Sequence, residues 1–418
     1  MKHLLIINQH GENRGDEAAM NAMLASLHEE LGDVRFTVLY QFRDPSLRPS
    51  ARHAIEALPI VLPAIDYLRA ALFSALLALG IRASGLLPPT FRKIFAAYRT
   101  ADLVLSAPGG PYFGDHYADH EIVHWWYVWL ASKLRIPLFL YAPSAGPFRK
   151  RLLNPLRRRM FARFDTLVTR EAVSAGHLRE LLREAVAIHV TADAAIQQDF
   201  PPRARADYFD GTRAHLRHRF LVATSLIQYQ FPRAADADAA RGQYEHGMIA
   251  LLEHLAQRAD CHFLLFPQLY GRAHSDVPFL EEMGARLAPR VSWEIVDAAL
   301  DSDEQRRLFA MCDLHLASRY HPAIFGHTAL VPGLCVYYEH KALGFMIQLE
   351  LERFAFPIER LDASALCAAA DDLLRERAAL VEHLRQRVPA LRARARETTL
   401  LAARLLRRQA KPPSGAAP

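Results

Sequence analysis

His3-Leu-Leu-Ile-Ile-Asn8 followed by Gly11-Glu-Asn-Arg-Gly-Asp16-Glu-Ala-Ala19 is an apolar run that stops in a glycine turn and restarts as a helical pattern reaching Leu31. The run suits a strand buried on both faces, and the turn opens onto a helix with Asp16 as its cap. The theme recurs along the chain. Strands are expected at Arg35–Tyr40, Asp102–Ser106, Pro137–Ala142, Thr166–Thr169 and Val186–Val190, then at Phe220–Leu226, His262–Phe266, Val291–Ile295, Leu314–Ala317, Leu334–Tyr337 and Phe354–Pro357. Helical patterns lie among them, at Glu17–Leu31, Trp125–Leu134, Gln243–Arg258, Asp303–Met311 and Lys341–Leu351. Alternating strands and helices predict α/β architecture with parallel sheets and right-handed crossovers.

Phe200-Pro-Pro-Arg-Ala-Arg-Ala206 breaks the pattern midway and reads as a linker. The expected division is residues 1–200 and 208–410, with the tail Lys411–Pro418 disordered. Two such halves imply a ligand cleft at the carboxyl ends of their sheets. Arg385–Arg408 is helical in pattern apart from Pro389.

The chain has 418 residues, enough for roughly two to three domains. At 51% hydrophobic, 23% charged and a formal net charge of +6, it is neither disordered nor a dedicated nucleic-acid binder. Cys261, Cys312, Cys335 and Cys367 stand far apart with no CxxC, so the sequence suggests neither a zinc ribbon nor a disulfide framework. The apolar start is too short for a signal peptide. Ala70–Ile81, bracketed by Arg69 and Arg82, falls short of the ~20 residues that span a bilayer. The expectation is a cytoplasmic protein.

Chemistry is expected where parallel strands end. The Gly11–Asp16 turn leads into a helix N-terminus, an anion-binding arrangement. Gly109-Gly110 allows close approach to the backbone, and Ser144-Ala-Gly146-Pro-Phe148 and Thr191-Ala-Asp193 follow later strands. Arg170 and Arg319 each come just after a strand and suit carboxylate or phosphate. His321 lies two residues past Arg319, on the same side of an extended segment, and can handle a proton. The plain alternatives are capped helices, turns needing positive φ, a surface arginine and a buried histidine. His116, His120 and His124 would stack on one helix face, but the glutamate of a zincin motif is missing and no metal is assigned.

Taken in order, these motifs resemble the polysaccharide pyruvyltransferase family. They are Asn13-Arg-Gly15-Asp16-Glu-Ala18, Gly109-Gly110, Ser144-Ala-Gly146-Pro147-Phe148, Arg170-Glu171-Ala-Val-Ser174, Thr191-Ala-Asp193, Ser318-Arg319-Tyr320-His321, and Tyr338 through Lys341 to Gly344. Two departures stand out: Ala194 replaces a common proline, and Ala70–Arg99 looks like an apolar insertion or enlarged helical hairpin.

The resemblance implies two Rossmann-like domains facing a cleft, as in GT-B glycosyltransferases. It also implies pyruvyl transfer from phosphoenolpyruvate (PEP) to two hydroxyls of a sugar, giving a cyclic ketal on a cell-surface polysaccharide or its lipid-linked precursor. No cofactor is implied beyond PEP as co-substrate. Catalytic roles fall to His321 as acid and Asp16, across the cleft, as base. Substrate-binding roles fall to Arg170, Arg319, Lys341, Asn13, Gly109, Gly110, Ser144, Ser318 and Tyr338. Arg170 and Arg319 would close on the anion from the two halves.

Two rivals share these features. One is a nucleotide-sugar glycosyltransferase on the same fold. The other is a non-catalytic peripheral membrane subunit of polysaccharide assembly, at the inner face of the cell membrane. It is motivated by Ala70–Ile81 and the basic stretches Arg149–Arg151, Arg157–Arg159 and Arg385–Arg408.

Overall fold

The structure is a computed structural model. It describes residues 1–409 except 43, 45–46, 61–63, 82–84, 86, 111–112, 116–117, 184–185 and 272–273. The expected disordered tail and His116 therefore lie outside the described residues.

The chain divides into two units. In the first, seven parallel strands stand in the order β3-β2-β1-β4-β5-β6-β7. They are β1 (Lys2–His10), β2 (Val34–Gln41), β3 (Ile55–Pro59), β4 (Leu103–Ser106), β5 (Leu138–Leu140), β6 (Thr166–Thr169) and β7 (Ile188–Val190). Helices α1 (Arg14–Leu31), α2 (Ala64–Ala78), α3 (Pro89–Thr100), α4 (Ala118–Lys133), α5 (Asn154–Phe161) and α6 (Ala172–Leu182) alternate with them. β1 shows why the apolar run forms a central strand. Leu4, Leu5, Ile6 and Ile7 are all fully buried, between β2 on one side and β4 on the other. β3 has no counterpart in the sequence reading. It is short, ends in Pro59 and lies at the sheet edge, where a missing N–H is tolerated.

The second unit has six parallel strands in the order β12-β9-β8-β13-β14-β15, with a small antiparallel pair, β10–β11. Their ranges are β8 (Phe220–Ser225), β9 (Cys261–Leu265), β10 (Tyr270–Gly271), β11 (His274–Ser275), β12 (Ser292–Ile295), β13 (Leu314–Ala317), β14 (Gly333–Tyr337) and β15 (Ala355–Pro357). Helices are α7 (Arg205–Tyr208), α8 (Ala237–Arg258), α9 (Val277–Ala285), α10 (Ser302–Ala310), α11 (Tyr320–Thr328), α12 (His340–Gln348) and α13 (Ala363–Gln409). Strand order reverses once in each sheet, at β1/β4 and at β8/β13, and ligands bind beside such switch points.

Behind α11, His315 of β13 and His327 of α11 meet edge to face at 4.3 Å. Each donates its Nδ1–H to a backbone carbonyl, Val331 O and Ala323 O respectively. Burial drives both pKa values down, His327 to about 4 and His315 well below its ordinary value. A Cβ on Gly326 would fall 2.2 Å from the His315 ring, so only glycine lets α11 lie this close to β13.

The division is not the linear one expected. Residues 13–18 belong to the second unit, and residues from Ala393 onward belong to the first. The second exchange has a visible cause. The end of α13 buries Thr398 against Thr191 (2.7 Å) and Thr399 against Tyr141 (2.6 Å), and Gln197 bonds Ala395 O at 3.1 Å. Pro389 does not interrupt α13.

Candidate functional site

In the second unit the turn after β1 is stapled in place. Asn13 bridges to Leu269, and Arg14 N donates to Gln268 O at 3.0 Å. The buried Arg14 guanidinium bonds Glu17 at 2.6 Å and Ala298 O at 2.8 Å, and lies 3.8 Å above the Tyr270 ring. Glu17 in turn accepts from Ser302 N at 2.8 Å. The cap differs from expectation. α1 begins at Arg14, so Asp16 lies in its first turn, and Asn13 does the capping through Oδ1 to Gly15 N at 2.8 Å.

Gly15 shows what this turn is placed against. A Cβ there would fall 1.9 Å from Nδ1 of His321. The turn and the first turn of α11 are thus in contact, and any larger residue would displace the histidine. Asp16, in the first turn of α1, therefore shares a unit with His321.

Arg319 lies just after β13, with its side chain 10% exposed. Its Nη2 bonds Asp276 at 2.5 Å, while its buried Nε finds no partner among the described residues. Asp276 is itself held by Gln268 N and Leu269 N, both at 2.9 Å. The guanidinium is thus anchored at one corner and keeps donor capacity. Ser318, fully buried, ties β13 to β8 through its N–H to Ser225 O at 2.8 Å. Tyr338 is half-buried beside this group. Burial pushes its phenol up, the charges of Glu339, Asp276 and Asp16 add to that, and Arg319 opposes it. Lys341 pairs with Glu339 at 2.6 Å and lies 5.8 Å from the Tyr320 ring centre. The structure therefore brings Asn13, Asp16, Ser318, Arg319, His321, Tyr338 and Lys341 into one unit.

The remaining predicted residues form a different assembly in the first unit. Arg170 is 1% exposed. It bonds Asp193 at 2.6 Å, Ser144 Oγ at 2.8 Å and Gly110 O at 3.2 Å. Ser144 N donates to Gly109 O at 3.0 Å, and both glycines have positive φ (125° and 93°). Glu171 caps α6 by accepting from Ser174 N at 2.8 Å, and Ser174 Oγ accepts from Ala145 N at 2.8 Å. Every motif of this half thus ties one strand end to the next. Arg170 in this geometry is a strut between β4, β5, β6 and β7, which does not match the open anion fork expected of it. Of the expected histidine row, His116 and the side chain of His120 lie outside what the structure describes; His124 is buried with Nε2 2.9 Å from His10 Nε2, and no metal-holding group of His, Cys, Asp and Glu occurs among the described residues.

Comparison with known proteins gives this arrangement its context. Residues 13–340 match the family described as polysaccharide pyruvyl transferase. The chain belongs to that family. It is also 26% identical over 397 residues to the amylovoran biosynthesis protein AmsJ of Erwinia amylovora, covering 90% of this chain and 92% of that one. Among solved structures it is similar to Anabaena Alr3699/HepE in complex with UDP-glucose, with a TM-score of 0.58, 15% identity and coverage of 98% and 100%. It is also similar to the UDP-GlcNAc 2-epimerase of Neisseria meningitidis, with a TM-score of 0.53, 9% identity and coverage of 98% and 100%. At such low identity these two show the fold alone, a GT-B-like pair of Rossmann-like domains.

Within this family member, sequence reasoning missed Asp276, Tyr270 and Glu339. Asp276 follows two strands of two residues each, too short to carry a pattern. Glu339 stood in plain view, two residues before Lys341, but the chain gives no sign that the two pair.

Proposed function

We propose that this pyruvyl transferase family member uses PEP as donor and a sugar of a polysaccharide, or of its lipid-linked precursor, as acceptor. The observation that carries the reading is the contact of the Asn13–Asp16 turn with His321, beside an arginine that keeps a free donor. PEP carries a carboxylate and a phosphate, and Arg319 and Lys341 supply the cationic partners. His321 delivers a proton to the methylene carbon, and the enol carbon becomes oxocarbenium-like. A sugar hydroxyl attacks that carbon while Asp16 takes its proton. The second hydroxyl attacks next, the bond to the phosphate oxygen breaks, phosphate leaves with the electron pair, and the ketal closes. The second hydroxyl proton returns to His321 and the first departs from Asp16 to solvent, which resets both groups.

The test is phosphate release from PEP with a sugar acceptor, measured beside PEP binding by calorimetry. His321→Gln is expected to lose about 10²–10⁴-fold in turnover with binding retained. Retained turnover would refute the acid assignment. Binding lost along with turnover would place His321 in the anion site.

A further inference from the structure

Helix α2 is apolar on both faces, yet only one face is covered. Ala70, Phe73 and Leu77 are buried, and Phe73 meets Phe95 of α3 edge-on at 5.0 Å. The opposite side carries Ile65, Leu68 and Leu72, continuing past the helix to Leu79 and Ile81, and all five are exposed. Leu68 is 68% exposed and Leu79 77%. Ile65, Leu68, Leu72 and Leu79, spaced three, four and seven apart, make a continuous stripe. A bare apolar stripe of this length marks a docking surface.

Its surroundings favour one occupant. From Ala57 to Ala101 the sequence holds five bases, Arg69, Arg82, Arg92, Lys93 and Arg99, against one acid, Asp66. Arg69 bonds Asp66 at 3.4 Å, whereas Arg92, Lys93 and Arg99 stand exposed on α3. Lys133 reaches the carboxyl end of α2, at Ala78 O, 3.2 Å away. No helix among the described residues is long and apolar enough to cross a membrane, so the stripe suits the plane of a bilayer surface.

Several arginines of the clusters that first suggested membrane contact are engaged in ion pairs. Arg157 is fully buried between Glu121 and Asp115. Along α13, Arg385, Arg387, Arg392, Arg396 and Arg407 pair with Glu382, Glu350, Asp199, Glu29 and Glu30.

We infer that the exposed face of α2, with the basic residues of α3, docks the protein in the plane of an anionic phospholipid surface. The inference is independent of the donor and of the chemistry at His321. It is tested by co-sedimentation of the full chain with phosphatidylcholine vesicles, with and without phosphatidylglycerol. Wild type is expected to pellet with the anionic vesicles at low salt. Leu68→Ser with Leu72→Ser should weaken partitioning at least tenfold, roughly the loss expected for one or two leucines. Both positions are exposed, so circular dichroism should stay unchanged. Arg92→Glu with Lys93→Glu should remove the preference for phosphatidylglycerol. Equal pelleting of the serine variant, or no pelleting of wild type, overturns the inference. So does a vesicle-free dimer in sedimentation velocity that the serine variant turns into monomer, because the stripe would then be covered by a second copy.

Discussion

Arg170 and Arg319 stand at equivalent places, each just beyond a parallel strand of a Rossmann-like sheet and before a helix. Arg170 spends its guanidinium on Asp193, Ser144 and Gly110, all within its own unit. Arg319 is pinned at Nη2 by Asp276, and its Nε is left over. Position at a strand end therefore does not decide how many of an arginine's donors the surrounding fold consumes.

The sharpest way to break this contrast is Arg170→Ala. Removing one partner of a buried pair strands Asp193 and should cost about 3–5 kcal/mol of stability, read as a fall in the urea midpoint. An unchanged midpoint with weakened PEP binding would reverse the assignment of the two arginines. Next comes Arg319→Lys. Lysine keeps the charge but cannot hold Asp276 and an anion with one planar group. PEP affinity should fall about 10–100-fold, the worth of one or two charge-assisted hydrogen bonds, with the midpoint little changed because Asp276 retains two backbone donors. Wild-type affinity in this variant would remove Arg319 from the donor site.

The smallest effect concerns the histidine pair between β13 and α11, the two elements that flank Arg319 in sequence. His315 and His327 are neutral in the fold, with pKa values pushed below the ordinary 6.5. Above that pH both states are neutral and stability is complete. As pH falls from about 6.5 towards about 4, the unfolded chain takes up protons that the fold refuses, and stability drops. Each histidine adds about 1 kcal/mol per pH unit to the slope. Urea midpoints of wild type and His327→Leu across that window should differ in slope by this amount, and parallel lines would show that the pair does not titrate on unfolding.

Much of the fold was legible because parallel strands buried on both faces are continuous apolar runs, as at Leu4–Ile7. β3 was not, since Ile55-Glu-Ala-Leu-Pro59 is an edge strand that mixes exposed and buried positions. The site was legible as a set of motifs but not as a set of pairs. Asp193 and Arg170 both stood in quoted motifs, 23 residues apart, and nothing local says that they bond. Asp276 lies 43 residues from Arg319 in a segment with no periodicity. The assignment of Asn13–Ala18 to the second unit rests on contacts with Leu269, Ala298 and Ser302, which only the folded chain reveals.

The end of α13 has a consequence for synthesis. Tyr141, Thr191 and Gln197 have hydrogen-bond partners in Ala395, Thr398 and Thr399, which are translated some two hundred residues later. At 5–20 residues per second the first unit waits roughly 10–40 s for its last helical segment. During that interval the carboxyl-terminal ends of β5 and β7 await the hydrogen-bond partners that α13 brings, while the second unit is made.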